Sequence, residues 1–435
     1  MTKHIPSINI ITLGCSKNSV DSEVIGAQLK KMGHTVLHDS TEDTDIVIVN
    51  TCSFIRDAKE QSIDEILLHA ERKKAGIIKR IYVVGCLAQR YKEDLQQMIP
   101  EVDAFYTFSE LHQLFKLDQF DLLAQSDRLL STPSHYAYLK ISEGCDRSCS
   151  YCAIPLIRGK QVSKPIDILV EEARKLAQAG VKELMLIAQD LTYYGMDLSG
   201  HRDLEMLLRR LAQVEGLEWI RLHYAYPAGF PYEILDVMNE YSNICRYLDI
   251  PLQHISDDIL KDMRRGGNSR QTYKLIENIR KKVPGIALRT TLISGYPTET
   301  KAQHKELVEF VKQMRFERLG VFAYSQEEGT PAYPLGDPIK TAEKNRRVEE
   351  IMSLQEQISL EHNQDLIGQV MKVMVDSEEE DYYIGRTEFD SPDVDNSVLI
   401  KKEQPLAIGT FHPVRIIDAD NYDLFGTPIK SSKEN

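Results

Sequence analysis

Apolar positions keep one rhythm up to about residue 335 and another after residue 368. In the first part, short continuous apolar runs alternate with longer stretches whose apolar residues recur at helical spacing. INIITL (8–13) is β-branched and strand-like; a polar, helix-compatible stretch follows to Lys31, and Gly33 supplies a stop. HTVLH (34–38), DIVIVN (45–50) and RIYVVGC (80–86) are further strands, the last two apolar enough to be buried on both faces. Between them, DAKEQSIDEILLHAERKKAG (57–76) is an amphipathic helix ending at a glycine. This alternation predicts a doubly wound parallel sheet. AQSDRLLSTPSHYAY (124–138) has no period and reads as a linker.

A second alternating series follows. AYLKIS (137–142), ELMLIA (183–188), WIRLHY (219–224), RYLDIP (246–251), IALRTTLISG (286–295) and RLGVFAYS (318–325) are strand candidates, with helical stretches such as 166–180 and 269–285 between them. Six strand–helix units predict a complete or partial parallel (βα)6 barrel. The charged segment 340–366 reads as one long helix, a solvated connector. After Gly368 the period shortens to that of strands and turns, in 369–377, 382–389, 397–402 and 411–426. That pattern predicts a small antiparallel β-barrel or sandwich. The expected organisation is α/β, with domains at 1–125 and 135–335, a connecting helix at 336–363 and a barrel at 364–432.

With 435 residues the chain is too long for one ordinary core, in keeping with several domains. No run of eighteen apolar residues occurs, and the start of the chain lacks the apolar stretch of a signal peptide. The expectation is a cytoplasmic protein with no membrane partner. The net charge of −13 argues against a nucleic-acid binder and suits a basic partner.

Seven cysteines in such a chain do not make a disulfide framework. Cys245 reads as a small buried hydrophobe. Cys15, Cys52 and Cys86 each stand one or two residues beyond a predicted strand. In open parallel sheets that is the edge where ligands bind, so three distant thiols can meet there. Cys145, Cys149 and Cys152 fall within eight residues of SEGCDRSCSYCAIP (142–155). A structural zinc site asks for four nitrogen or sulfur ligands, and no histidine or fourth cysteine is near. An iron–sulfur cluster suits three thiolates better and leaves one iron open to a ligand; zinc or a purely structural cluster is the competing reading.

The spacing C-x3-C-x2-C, with Tyr151 before the last cysteine, resembles the signature of the radical S-adenosylmethionine superfamily. The resemblance implies a [4Fe-4S] cluster whose open iron binds S-adenosylmethionine and whose electron releases a 5′-deoxyadenosyl radical. Together with the N-terminal cysteines and a C-terminal barrel that looks like a TRAM domain, the whole chain resembles the methylthiotransferases. That family implies a second [4Fe-4S] cluster on Cys15, Cys52 and Cys86, and two S-adenosylmethionine molecules, one giving the methyl group and one the radical. The resemblance implies no protein acid or base as catalytic residue. Tyr151, Gln189, Asp190 and Gly295 are implied to contact the cofactor. In LISGYPTET (292–300), Tyr296 and Thr298 stand where the family usually has Phe and Gly.

LGCSKNSVDSE (13–23), NTCSFIRDAKEQSID (50–64), HYAYP (223–227), PLQHISDDILKDMRRGG (251–267) and YSQEEGTPAY (324–333) resemble the branch that modifies ribosomal protein uS12. The tRNA branch typically has Gln-Met-Asn where Ser16, Lys17 and Asn18 stand, and tends to have serine in place of His254. From 365 to 426 there are 14 acidic and 5 basic residues, a balance of 5 − 14 = −9, which suits a basic protein substrate better than RNA. The implied reaction is methylthiolation of the β-carbon of an aspartate in uS12, bound in part through the acidic barrel, with an electron donor and a sulfur donor as further partners. The alternatives are an N6-isopentenyl or threonylcarbamoyl adenosine of tRNA, by the same chemistry, and a non-enzymatic cluster protein carrying electrons or sensing iron. His254 is either at the cavity or structural. Arg158 pairs either with a substrate or cofactor carboxylate or in a protein ion pair.

Overall fold

The computed structural model describes residues 5–429. The outermost residues of the expected first and last domains, 1–4 and 430–432, lie outside them. β1 (Ser7–Thr12), β2 (Thr35–His38), β3 (Ile46–Thr51), β4 (Arg80–Gly85) and β5 (Ala104–Phe105) form one parallel sheet in the order β2-β1-β3-β4-β5. The continuous apolar run of β3 is buried because it lies in the middle of this sheet, between β1 and β4. Helices α1 (Ser16–Lys31), α2 (Arg56–Lys74) and α3 (Cys86–Met98) leave the carboxyl ends of β1, β3 and β4. α3 was not foreseen from its sequence.

The segment 124–138 is no free linker. The Leu129 N–H donates to Glu23 O at 3.0 Å. Arg128 is buried; its Nε reaches Glu23 Oε2 at 2.9 Å and its Nη1 reaches Glu172 Oε1 at 2.7 Å. Glu172 in turn accepts from Lys164. One guanidinium therefore joins α1 of the first domain to the second.

The second domain begins with β6 (Tyr136–Lys140) and a small antiparallel pair, β7 (Ser142–Glu143) and β8 (Val162–Ser163). Five more strands follow: β9 (Glu183–Ile187), β10 (Trp219–Leu222), β11 (Ile244–Asp249), β12 (Ala287–Ser294) and β13 (Arg318–Ala323). With β6 they pair in parallel in chain order, β6-β9-β10-β11-β12-β13, and the two ends do not close. The barrel is the partial form of the two predicted. Cys245 is buried in β11, as its apolar surroundings suggest.

The helix Thr341–Gln364 corrects the expectation of a solvated connector. It packs along β13 and the helix Lys301–Met314, burying Ile351 and Ile358 together with Lys344, Arg347 and Gln355. Its charged residues hid the buried face. Arg347 Nη1 meets Glu299 Oε1 at 2.8 Å, and Lys344 Nζ donates to Tyr324 O at 2.9 Å.

The third unit is a closed barrel of β14 (Val370–Glu378), β15 (Tyr382–Arg386), β16 (Ser397–Lys401), β17 (Phe411–Ala419) and β18 (Asp423–Pro428). It is antiparallel at four of its five pairings; β16 and β18 run parallel. This barrel covers the amino-terminal ends of the central strands, where Phe411 meets Trp219 edge-on at 4.7 Å. Its loop between β15 and β16 enters the lumen. There Arg221 Nη1 donates to Glu388 O at 2.6 Å, Tyr247 OH donates to Asp395 at 2.8 Å, and Ser391 Oγ lies 3.2 Å from His223 Nε2. Arg318 pairs with Asp390, and His135 with Asp376 at 2.8 Å. Part of the acidic excess of the barrel is therefore turned inward, against the second domain. The acids of 378–381 remain exposed.

Replacing Arg128 by Met leaves Glu23 without its guanidinium and removes one of the two cations of Glu172. The expected cost is about 3–5 kcal/mol, as for a buried pair stripped of one partner. It is read as a lower urea midpoint; an unchanged midpoint would remove Arg128 from the interface.

Candidate active site

Cys15, Cys52 and Cys86 stand at the carboxyl ends of β1, β3 and β4, which are neighbours in the sheet. Cys15 caps α1 and is exposed; Cys52 and Cys86 are buried, and Cys86 is the first residue of α3. Gly14 has φ +95°, and a Cβ there would lie 2.6 Å from Cys52 Cβ, so only glycine allows the first two loops to approach. Burial pushes the Cys86 thiol up to about 11; Arg158 opposes the shift and the thiols of Cys15 and Cys52 add to it. Those couplings make the three thiols electrostatic neighbours, as the strand-end argument anticipated.

The second triad lies on the loop beyond β7. The Arg147 N–H donates to Cys145 Sγ at 3.4 Å, Arg265 Nη1 donates to Cys149 Sγ at 3.3 Å, and Tyr226 OH is 3.8 Å from the same sulfur. Burial raises Cys145 to about 11 and Cys152 to about 12, with the neighbouring thiols adding to both. Among the described residues, no three His, Cys, Asp or Glu side chains are close enough to hold a single ion. A multi-iron cluster places its thiolates on different irons, so its ligands surround a space.

One short helix joins the two triads. Ile154–Arg158 starts two residues after Cys152 and ends at Arg158, whose Nη2 donates to Cys86 Sγ at 3.3 Å and to Asn18 Oδ1 at 2.6 Å. Arg158 Nη1 meets Asp21 Oδ2 at 2.7 Å and Glu143 Oε2 at 3.0 Å. Lys140 bonds the same two carboxylates. Burial pushes Glu143 up, but Arg158 and Lys140 outweigh it and hold the carboxyl down to about 2. Arg158 is thus neither a surface residue nor free for a ligand carboxylate. Of the charged residues in this network, sequence reasoning singled out only Arg158. Arg265 lay in a quoted motif, yet nothing marked it as a thiol partner.

The carboxyl ends of the central strands carry buried polar atoms with no hydrogen-bond partner: Ser142 Oγ, Gln189 Oε1, Gln253 Oε1, Ser294 Oγ and Tyr324 OH. They follow or end β6, β9, β11, β12 and β13. Unpaired buried polar atoms gathered at one mouth fit a polar ligand of cofactor size. Gln189 gives its Nε2 to Glu143 at 2.8 Å and keeps its carbonyl oxygen free. Asp190 is fully engaged, accepting from the Thr192 N–H at 2.8 Å and from Arg147 Nε at 2.8 Å; what it positions is Arg147. Tyr151 packs with Tyr296 and Tyr324.

Gly295 has φ +79°, and a Cβ there would fall 2.5 Å from Lys344 Cγ. Its N–H donates to Glu299. Thr298 lies outside the left-handed region, so the glycine usual at this place is not needed; its hydroxyl donates to Asp262 at 2.7 Å. His254 is buried behind this loop, accepts from the Ser256 N–H at 3.0 Å and is pushed down to about 4 by burial, which keeps it neutral.

Three family models match the chain: uncharacterized protein family UPF0004 over 7–107, the radical SAM superfamily over 139–311 and the TRAM domain over 367–429. A protein of Christiangramia forsetii named ribosomal protein uS12 methylthiotransferase RimO is 54% identical, covering 98% of this chain and 95% of that one. Proteins of the same name from Cytophaga hutchinsonii and Bacteroides fragilis are 53% and 52% identical, each covering 97% of this chain and 98% of their own. Among solved structures, the radical S-adenosylmethionine methyltransferase TsrM of Kitasatospora setae, with cobalamin and a [4Fe-4S] cluster bound, superposes with a TM-score of 0.55. It is 14% identical and covers 76% of this chain and 77% of its own, a likeness of fold.

In metal-free protein the thiols of Cys86, Cys145 and Cys152 stay protonated near neutral pH and react slowly, because the thiolate is the nucleophile. Iodoacetamide at pH 8 is expected to label Cys15 first, with Cys86, Cys145 and Cys152 accelerating as pH rises towards 11. Peptide mapping of the alkylated protein checks this; equal rates at all four would contradict the burial.

Proposed function

The chain belongs to the RimO family of ribosomal protein uS12 methylthiotransferases, enzymes of the radical S-adenosylmethionine superfamily, and on that premise we propose that it methylthiolates the β-carbon of an aspartate of uS12. The observation that carries the proposal is the pair of thiol triads joined by the helix Ile154–Arg158. Cys145, Cys149 and Cys152 would hold one [4Fe-4S] cluster; Cys15, Cys52 and Cys86 would hold a second. Bound there with S-adenosylmethionine, such clusters supply radical abstraction of hydrogen and a sulfur to insert, chemistry that no side-chain acid or base provides.

The chain's own part is placement. Arg265 and the Arg147 N–H donate to sulfurs of one triad, and Arg158 to a sulfur of the other; hydrogen bonds to sulfur tune a cluster's potential. Gln189 and the loop at Gly295 border the mouth where the unpaired polar atoms gather, a position suited to S-adenosylmethionine. Tyr151 backs that loop through Tyr296. The exposed thiol of Cys15 marks the side open to a sulfur donor. An external reductant completes the requirement.

The exposed acids at 378–381 favour a basic protein over RNA as docking partner. They sit on the barrel that covers the amino ends of the strands, whereas the thiols lie at the carboxyl ends. The docking and reacting parts of the substrate are therefore separate.

Anaerobically reconstituted enzyme, given S-adenosylmethionine, sulfide and reductant, is offered uS12 and unmodified tRNA together. A methylthio group on a uS12 aspartate, seen by mass spectrometry, is the expected result; label on adenosine would move the chain to the tRNA reaction. Changing either cysteine triad to alanine is expected to remove about half of the bound iron and all of the methylthiolation. Full iron retention after loss of Cys15, Cys52 and Cys86 would refute the second cluster.

A further inference from the structure

Lys17, after the first strand of the N-terminal domain, and Tyr224, beyond β10 of the second, touch across the domain boundary. The Lys17 ammonium lies over the Tyr224 ring, 3.4 Å from its centroid. Tyr224 has φ +65°, a region a bulky side chain rarely enters, and its N–H is held by Asp249 Oδ2 at 3.2 Å. An unfavourable backbone maintained at the end of β10 is a sign that the direction of this ring matters.

The charges around this spot are unevenly committed. Arg147 is engaged by Asp190, Arg158 by Asp21 and Glu143, and Arg289 by Asp249 and Asp395. Lys17 has no carboxylate partner among the described residues. It is half-buried, two residues from Cys15 and facing the end of β10. Its charge reaches inward: Lys17 is one of the cations, with Arg221 and Arg289, that add to burial in keeping His223 neutral. An ammonium has three donors, and one ring face does not use them all.

We propose that Lys17, seated on Tyr224, is the specificity-determining residue that binds the side-chain carboxylate of the target aspartate. The inference rests on the uS12 reading above and adds to it the means by which an acid is chosen. A β-carbon carrying a carboxylate has one strong handle, its charge, and a cation between the first triad and the strand ends holds that carbon between the two sites.

The test is binding of uS12, and of uS12 with the target Asp changed to Asn, to the reconstituted enzyme with S-adenosylmethionine and no reductant. Iron content of each variant is checked first. Wild-type enzyme is expected to favour the aspartate form about tenfold or more, the size of a charge-assisted contact. Lys17→Met should bring the ratio close to one, and Lys17→Arg should keep most of it. If Lys17→Met retains the preference, or if wild-type enzyme binds both forms alike yet methylthiolates uS12 once reductant is added, the inference falls while the uS12 reading stands. If wild-type enzyme neither binds nor modifies uS12, the reading falls and takes the inference with it.

Discussion

The arrangement depends on a buried set of charges between α1 and the start of the central barrel. Asp21 and Glu143 each take both Lys140 and Arg158, and Glu23 and Glu172 share Arg128. Such pairs add little net stability over well-packed apolar groups, since desolvation offsets their attraction. What they do is penalise any other docking, because a shift of one element leaves several charges in the interior uncompensated. The distance between the two thiol triads is therefore set by electrostatics rather than by a flexible linker.

The strand-end mouth of the central domain is also shaped by the barrel and by the helix Thr341–Gln364. The barrel at the far end closes the lumen with the loop after β15, so the space at the carboxyl ends has a protein floor. The helix Thr341–Gln364 sets the loop after β12 from behind: Lys344 occupies the space a side chain at 295 would need, and Arg347 holds the carboxylate that receives the Gly295 N–H. Three sequence-distant segments thus fix one site.

Much of this was legible in the chain. The strands of the first two domains are continuous apolar runs, and a buried strand in a parallel sheet cannot look otherwise. The cysteine triads were legible because one is local in sequence and the other follows from topology. The charged residues were not. Arg128 and Glu23 are separated by more than a hundred positions, and a buried arginine with a distant partner has the same local surroundings as a surface one. The helix Thr341–Gln364 misled for the same reason. The acidic count of the last domain was correct, yet composition carries no information on direction, and Asp390 and Asp395 point into the neighbouring domain.

The network at Arg158 also bears on the ionisation of Cys86. Asp21 and Glu143 balance Lys140 and Arg158, so the group is neutral before any thiol ionises. Burial opposes ionisation of Cys86, and the single hydrogen bond from Arg158 reduces that opposition without abolishing it. Cys86 is therefore not a free thiolate waiting in the interior. A metal bound by Cys86 would have to displace its proton, so loading would release it and grow easier as pH rises. Until then Cys86 stays protonated and uncharged, and a buried neutral thiol is a poor nucleophile for the wrong partner. The burial that makes Cys86 slow to react on its own would reserve its chemistry for a bound metal.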